Sequence, residues 1–361
     1  MRIVFVSTSV GPLGSGVGGG VELTLRTLAA GLRRLGHSVT VVAPRGSVLG
    51  LPAGDADVQV VQVDGALHVP SQTLDRAAEL VVPTDSVLLN MWKTVTKLAV
   101  DGDCDVVLNF AYDAHPFVHA QECAVPVAHL VSMGSLSDEM DRAVRCALQS
   151  RPLSIAMHSR AQAATFGDDI ATAANIVAGG VVTNQYDFVA TPGTDLAFVA
   201  RISPEKGIAD AFEVAARSGR RLLVFGVMED AAAWRDAAAR FPHAQVEHVG
   251  FLATHDLAVR LGKCAALIMV HRWVEAFGNV AIEALACGVP VITYDRGGPA
   301  EIVRDGVTGF VVPVDQPALV AAALGQLGVL DRRNCRIDAV ERFSAAAFAR
   351  RVEIWLTRQM A

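Results

Sequence analysis

Short β-branched apolar runs alternate with longer Ala/Leu-rich stretches of helical period along almost the whole chain, and few folds accept that pattern. A strand that is apolar at every position needs cover on both faces, so such strands belong to parallel sheets flanked by helices. In the first half, Ile3 to Ser7, Val39 to Ala43, Val58 to Val63, Val106 to Phe110, Val125 to Val131, Ile155 to Met157 and Asn175 to Val177 read as strands. The turn-rich passage VATPG, with Pro192 and Gly193, interrupts the alternation. It restarts with Leu196 to Ala200, Leu222 to Phe225, Val246 to Val249, Ala266 to Val270, Val291 to Tyr294 and Phe310 to Val312. The spacing predicts two α/β domains, 1–190 and 191–340, joined at that turn. Over 341–361, Phe343, Phe348, Val352, Trp355 and Leu356 recur at helical spacing, so a terminal helix should pack that face back across the domains. With 361 residues and 52 % hydrophobic content, two cores can be filled.

Charge and patterning exclude several function classes. The net charge is −6, and no basic run or aromatic-interleaved Lys/Arg stripe occurs, so nucleic acid is not an expected partner. The opening MRIVFVS enters a strand directly, and no apolar stretch approaches the roughly 18 residues of a membrane span. A cytoplasmic protein without integral membrane contact is expected. The six cysteines are far apart in sequence, which suits buried free thiols better than a disulfide or metal framework. The run DGDCDVV holds Asp-x-Asp spacing twice, but it precedes a strand where a metal-site pair would follow one, so it reads as a polar turn and no metal is expected.

Three segments carry the candidate chemistry. In WVEAFGNVAIEALACGVP, Glu275 and Glu283 have seven residues between them across a loop-to-helix turn. A helix beginning near Phe277 would direct the backbone N–H groups of Phe277, Gly278 and Asn279, and its positive dipole end, towards an anion. A carboxylate beside that anion suits hydroxyl groups, as on a sugar or ribose. In FVARISPEKGIADAF, Arg201 and Lys206 occupy the loop after a strand, where the two cations could clamp a diphosphate. The third segment is GPLGSGVGGGVELTL, whose Gly14 to Gly19 fits the dinucleotide fingerprint GxGxxG. Against that fingerprint, the glycines start several residues after the strand and the second strand ends at Ala43-Pro44-Arg45 without an acidic residue for a ribose. Arg45 could instead meet a 2′-phosphate, so an NADP-dependent oxidoreductase stays open.

Taken together, Glu275 with Glu283, the Arg201/Lys206 loop, the GGVE at Gly19 to Glu22, the GHSV at Gly36 to Val39 and the GGPAEIV at Gly297 to Val303 resemble family 4 of the retaining glycosyltransferases. The resemblance implies the GT-B architecture of two facing Rossmann-like domains. It also implies a metal-independent, cofactor-free hexosyl transfer from a nucleotide diphosphate sugar with retention of anomeric configuration. By this likeness Arg201 and Lys206 would neutralise the leaving diphosphate, the main catalytic term. Glu275 would accept hydrogen bonds from the donor sugar, aided by the backbone of Phe277, Gly278 and Asn279. Glu283 would bind the ribose, Phe251 and Leu252 the base, and Gly19 and Gly20 would let backbone close over the phosphates.

The chain departs from that family on the acceptor side. After the strand Val125 to Val131 many members carry a histidine near the reacting sugar; here Ser132 and Met133 fall at that place, and His129 lies inside the strand as a packed side chain. Asn109, Tyr112, Asp113, His115, Ser132, Met133 and Ser135 are the acceptor-side candidates. The segments SVGPLGSG, VAHLVSMGSLSDEMD and WVEAFGNVAIEALACG resemble a narrower group, the cyanobacterial UDP-glucose:tetrahydrobiopterin glucosyltransferases, which would imply UDP-glucose as donor and a reduced pterin as acceptor. A sugar or secondary-metabolite acceptor, and a non-catalytic nucleotide-sugar binder, remain alternatives.

Overall fold

A computed structural model of the protein describes residues 1–51, 58–69, 74–78 and 82–360. They divide into two units, Met1–Gly180 with Ala345–Ala361, and Val181–Ser344. The first holds a parallel sheet of β1 (Arg2–Val6), β2 (Ser38–Pro44), β3 (Gln59–Val63), β4 (Val106–Asn109), β5 (Val127–Val131), β6 (Ile155–Met157) and β7 (Asn175–Ile176), in the order β3-β2-β1-β4-β5-β6-β7. The second holds β8 (Leu196–Val199), β9 (Leu222–Phe225), β10 (Val246–Gly250), β11 (Ala266–Met269), β12 (Val291–Tyr294) and β13 (Gly309–Val312), all parallel, in the order β10-β9-β8-β11-β12-β13.

Burial explains why continuous apolar runs became strands. Val4, Phe5 and Val6 of β1 are all inaccessible, with Phe5 facing Leu25, Leu28 and Phe110 and Val6 facing Met91 and Trp92 across the other side of the sheet. Central strands of a covered sheet can carry no polar alternation. In both sheets the strand order reverses once, between β1 and β4 in the first and between β8 and β11 in the second. Such reversals open a crevice at the carboxyl ends of the two strands, because the loops there leave in opposite directions.

The helix Gly20–Arg34 buries Leu25, Leu28 and Leu32 against the first sheet and packs beside the helix Ala345–Met360. A Cβ on Gly31 would stand 2.7 Å from the Ala345 carbonyl oxygen, so only glycine allows that approach. The terminal helix thus belongs to the first unit. Phe343, expected on its face, closes the preceding helix Arg332–Phe343 in the second unit, with Ser344 extended between the two helices. The division at Gly180 lies upstream of the VATPG turn, because Val181 N–H bonds the Phe343 carbonyl and Tyr186 is buried within the second unit. Among the described residues, no helix is long and apolar enough to cross a membrane.

Candidate functional site

The β8/β11 crevice of the second unit gathers part of the expected donor machinery. After β8 the chain makes the short turn Pro204–Lys206 and passes through Gly207, at φ 81°, into the helix Ile208–Ser218. A Cβ at Gly207 would lie 1.9 Å from the Val270 carbonyl oxygen, so only glycine brings the Lys206 turn against the end of β11. After β11 the loop carries His271, Trp273 and Glu275 and enters the helix Asn279–Ala286 through Gly278. Gly297 and Gly298, which follow β12, hold this loop from the other side. The Gly298 N–H donates to the Glu275 carbonyl at 2.8 Å, and a Cβ on Gly297 would reach within 2.6 Å of the same oxygen.

Lys206 Nζ donates to Glu275 Oε2 at 2.7 Å, and Trp273 Nε1 donates to the same oxygen at 3.1 Å. The ammonium also stands 4.3 Å above the centroid of the Trp273 ring. Burial pushes the Glu275 carboxyl up, while Lys206, His271 and Trp273 together hold it below the usual glutamate value. His271 is buried with Nε2 at 2.9 Å from the Arg296 carbonyl, and burial lowers its pKa. A fixed cation next to an ionised carboxylate at the crevice suits a ligand with both phosphate and hydroxyl groups.

The remaining donor-side candidates are placed differently. Arg201 does not join Lys206 in a clamp; it pairs with Glu229 and, at 3.5 Å, with Glu205. Glu283 lies in the helix Asn279–Ala286 at 7 % exposure, where burial pushes its carboxyl up to about 7 and the neighbouring Tyr186 pulls it partly back. Phe251 and Leu252 follow β10 at the sheet edge, with β9 between them and the crevice, and Phe251 is 75 % exposed.

In the first unit a cleft opens at the β1/β4 reversal. Val10, Val17, Val21, Phe110 and Met133 form its apolar walls, while Thr8, Ser9, Tyr112, Asp113 and Ser132 contribute polar groups. Four acceptor-side candidates, Tyr112, Asp113, Ser132 and Met133, therefore converge. The other three do not. Asn109 is buried and clips its own strand end, donating to the Ala111 carbonyl at 3.0 Å and facing His129 Nδ1 at 3.2 Å. His115 lies between His119 and Trp92, and Ser135 donates to Asp141 at 2.8 Å. His129 is a packed histidine, stacked on Phe117 at 4.1 Å, and burial lowers its pKa to about 3.

Two participants were not singled out by the sequence. His68 reaches Asp113 Oδ1 with Nδ1 at 2.8 Å and Ser86 Oγ with Nε2 at 2.6 Å. Glu22 lies under the glycine loop, where its carboxylate accepts the N–H groups of Gly14 at 2.7 Å, Gly18 at 2.8 Å and Gly16 at 3.4 Å. The loop's converging amides are thus taken by a carboxylate of the same chain. Gly19 and Gly20 sit at the start of the helix above it, Gly19 at φ 56°. Arg45, the other support for an NADP reading, is paired with Asp64. Both supports for the oxidoreductase are thereby engaged within the chain.

Residues 189–337 match the family Glycosyl transferases group 1. This group 1 segment lies inside the second unit and contains every donor-side candidate except Gly19 and Gly20. Among curated relatives, the D-inositol 3-phosphate glycosyltransferase of Nocardia farcinica is 36 % identical over 177 residues, 45 % of this chain and 39 % of the relative. That of Mycolicibacterium gilvum is 36 % identical over 113 residues, 31 % of this chain and 26 % of the relative. The matched chain therefore spans well under half the length of these relatives. Among solved structures, AviGT4, a glycosyltransferase involved in avilamycin A biosynthesis, superposes with a TM-score of 0.70 at 22 % identity, over 99 % of this chain and 97 % of that one. Anabaena Alr3699/HepE in complex with UDP gives 0.75 at 18 % identity, over 99 % and 100 %. The two parallel-sheet, Rossmann-like units are those of the GT-B glycosyltransferase structures.

Proposed function

We propose that the protein is a glycosyltransferase that moves a hexosyl group, glucose from UDP-glucose, to a small acceptor with retention of anomeric configuration. The observation that carries this reading is the Lys206–Glu275–Trp273 cluster at the β8/β11 crevice, inside the segment that matches the group 1 family. The Anabaena neighbour was solved with UDP and with UDP-glucose, which supports a uridine nucleotide sugar as donor. For the acceptor we carry forward a reduced pterin, from the motif likeness alone.

In this mechanism the bond between the anomeric carbon and the diphosphate oxygen breaks as the acceptor oxygen bonds to the same face of that carbon. The acceptor proton passes to the departing phosphate. Lys206 holds the charge that grows on the diphosphate, a preorganised cation in place of a metal ion. Glu275, released from Lys206 as the phosphate takes its place, accepts hydrogen bonds from the sugar hydroxyls. Glu283 accepts from the ribose, and Phe251 and Leu252 lie against the base. Arg201 joins the diphosphate by leaving Glu229, an exposed pair that costs little to break.

Calorimetric titration in EDTA with UDP, UDP-glucose, UDP-N-acetylglucosamine, GDP-mannose and NADPH tests this. Binding of UDP-glucose in preference to the other nucleotides, followed by an α-linked product, is the expected result. Binding of NADPH alone would overturn it.

A further inference from the structure

The first unit's cleft lies at the carboxyl ends of β1 and β4, the one strand reversal of its sheet. Among the described residues its lining contains no lysine or arginine. The charged side chain on it, among the described residues, is Asp113, whose carboxylate is 15 % exposed and held by Ser9 Oγ at 2.6 Å and His68 Nδ1 at 2.8 Å. Each carboxylate oxygen accepts one of these hydrogen bonds and keeps a lone pair for a second donor. The guanidinium of Arg76, whose charge reaches Tyr112 of the lining, is engaged by Asp138 at 2.7 Å and Asp141 at 2.5 Å. Nor does the backbone offer an anion site, because Glu22 already takes the amides of Gly14, Gly16 and Gly18.

We infer that this cleft binds an acceptor without phosphate, an uncharged molecule that presents O–H or N–H donors to Asp113 and an apolar face to Val10, Val21 and Met133. This deepens the transferase reading and rests on it. A phosphate ester placed here would meet the Asp113 carboxylate, with no cation among the described lining residues to offset its two charges and with Arg76 already paired to Asp138 and Asp141. The relatives named for an inositol 3-phosphate acceptor therefore do not supply this chain's acceptor class. Asp113 is a positioning residue: it fixes which acceptor group turns toward the cleft opening, and His68 and Ser9 fix Asp113.

The test is transfer from UDP-glucose to compounds offered in pairs, each beside its own phosphate ester: tetrahydrobiopterin, myo-inositol and glucose. At least one neutral member should react, at least about tenfold faster in kcat/KM than its ester. In the Asp113→Asn protein, KM for that neutral acceptor should rise about tenfold while kcat and UDP-glucose affinity hold. A better-reacting phosphate ester, a panel in which no neutral member reacts while UDP-glucose binds and slowly hydrolyses, or an Asp113→Asn protein with unchanged KM would overturn the inference. If UDP-glucose neither binds nor hydrolyses, the UDP-glucose donor reading fails instead. The cleft is then judged by calorimetry with the same pairs, where tighter binding of any ester than of its neutral partner overturns it.

Discussion

Glu283 provides a quantitative test of the donor site. It is buried in the helix Asn279–Ala286, and burial raises its carboxyl to about 7. If ribose hydroxyls donate to it, the nucleotide binds the ionised form, so affinity must fall with pH. The ionised fraction drops from about nine-tenths at pH 8 to about one-tenth at pH 6, which weakens binding about tenfold, or ~1.4 kcal/mol. UDP-glucose is the right probe because its phosphates are fully esterified and lack the group near pH 6 that a terminal phosphate carries. His271 cannot mimic the trend: protonating it at low pH adds positive charge and would strengthen anion binding. Calorimetry between pH 8 and 6 should show the tenfold loss, and Glu283→Gln should flatten it. A flat profile in the native protein, or an unchanged slope in the variant, would refute the ribose assignment. A second readout needs no ligand. Because the folded pKa is raised from 4.5, the neutral carboxyl's contribution is complete below about 4.5 and lost as pH rises through about 7. Ionisation then costs about 3 kcal/mol, so Glu283→Gln should melt higher than the native protein at pH 8 and much less so at pH 5.

Lys206→Ala should lose transfer by about two powers of ten or more with the fold intact, because it removes the fixed cation beside the departing phosphate; near-normal turnover in steady-state assays would take Lys206 out of the mechanism. Gly207→Ala forces a Cβ to within 1.9 Å of the Val270 carbonyl oxygen at φ 81°. It should lower stability by at least about 1 kcal/mol and cut kcat by displacing Lys206. A variant with native melting temperature and native kcat would show that this close approach is not required.

The strands were readable from sequence because a doubly covered parallel strand has little polar alternation to hide it: β8 is an apolar run throughout, and β1, β4 and β12 are apolar but for Arg2, Asn109 and Thr293. Element boundaries at the units' junction were less readable. No glycine or proline marks the break at Ser344, so the helical spacing ran on and took in Phe343, which belongs to the preceding helix. At the β8/β11 crevice, Lys206 and Glu275 were visible as residue types on two loops. What joins them, the close passage of Gly207 past Val270 and the grip of Gly297 and Gly298 on the Glu275 backbone, is a long-range matter that local pattern does not encode.

The glycine loop is the more instructive case. A run of glycines after a first strand has the composition of an anion cradle, and its amides do converge on an anion, but that anion is Glu22, close by on the same chain. Converging N–H groups need an acceptor, and a carboxylate in the first turn of the following helix satisfies them as a phosphate would. A glycine-rich motif therefore implies a ligand only once the chain's own carboxylates have been accounted for. In this protein Glu22 accounts for the amides of the glycine loop, while in the second unit Lys206 and Glu275 meet at the β8/β11 crevice.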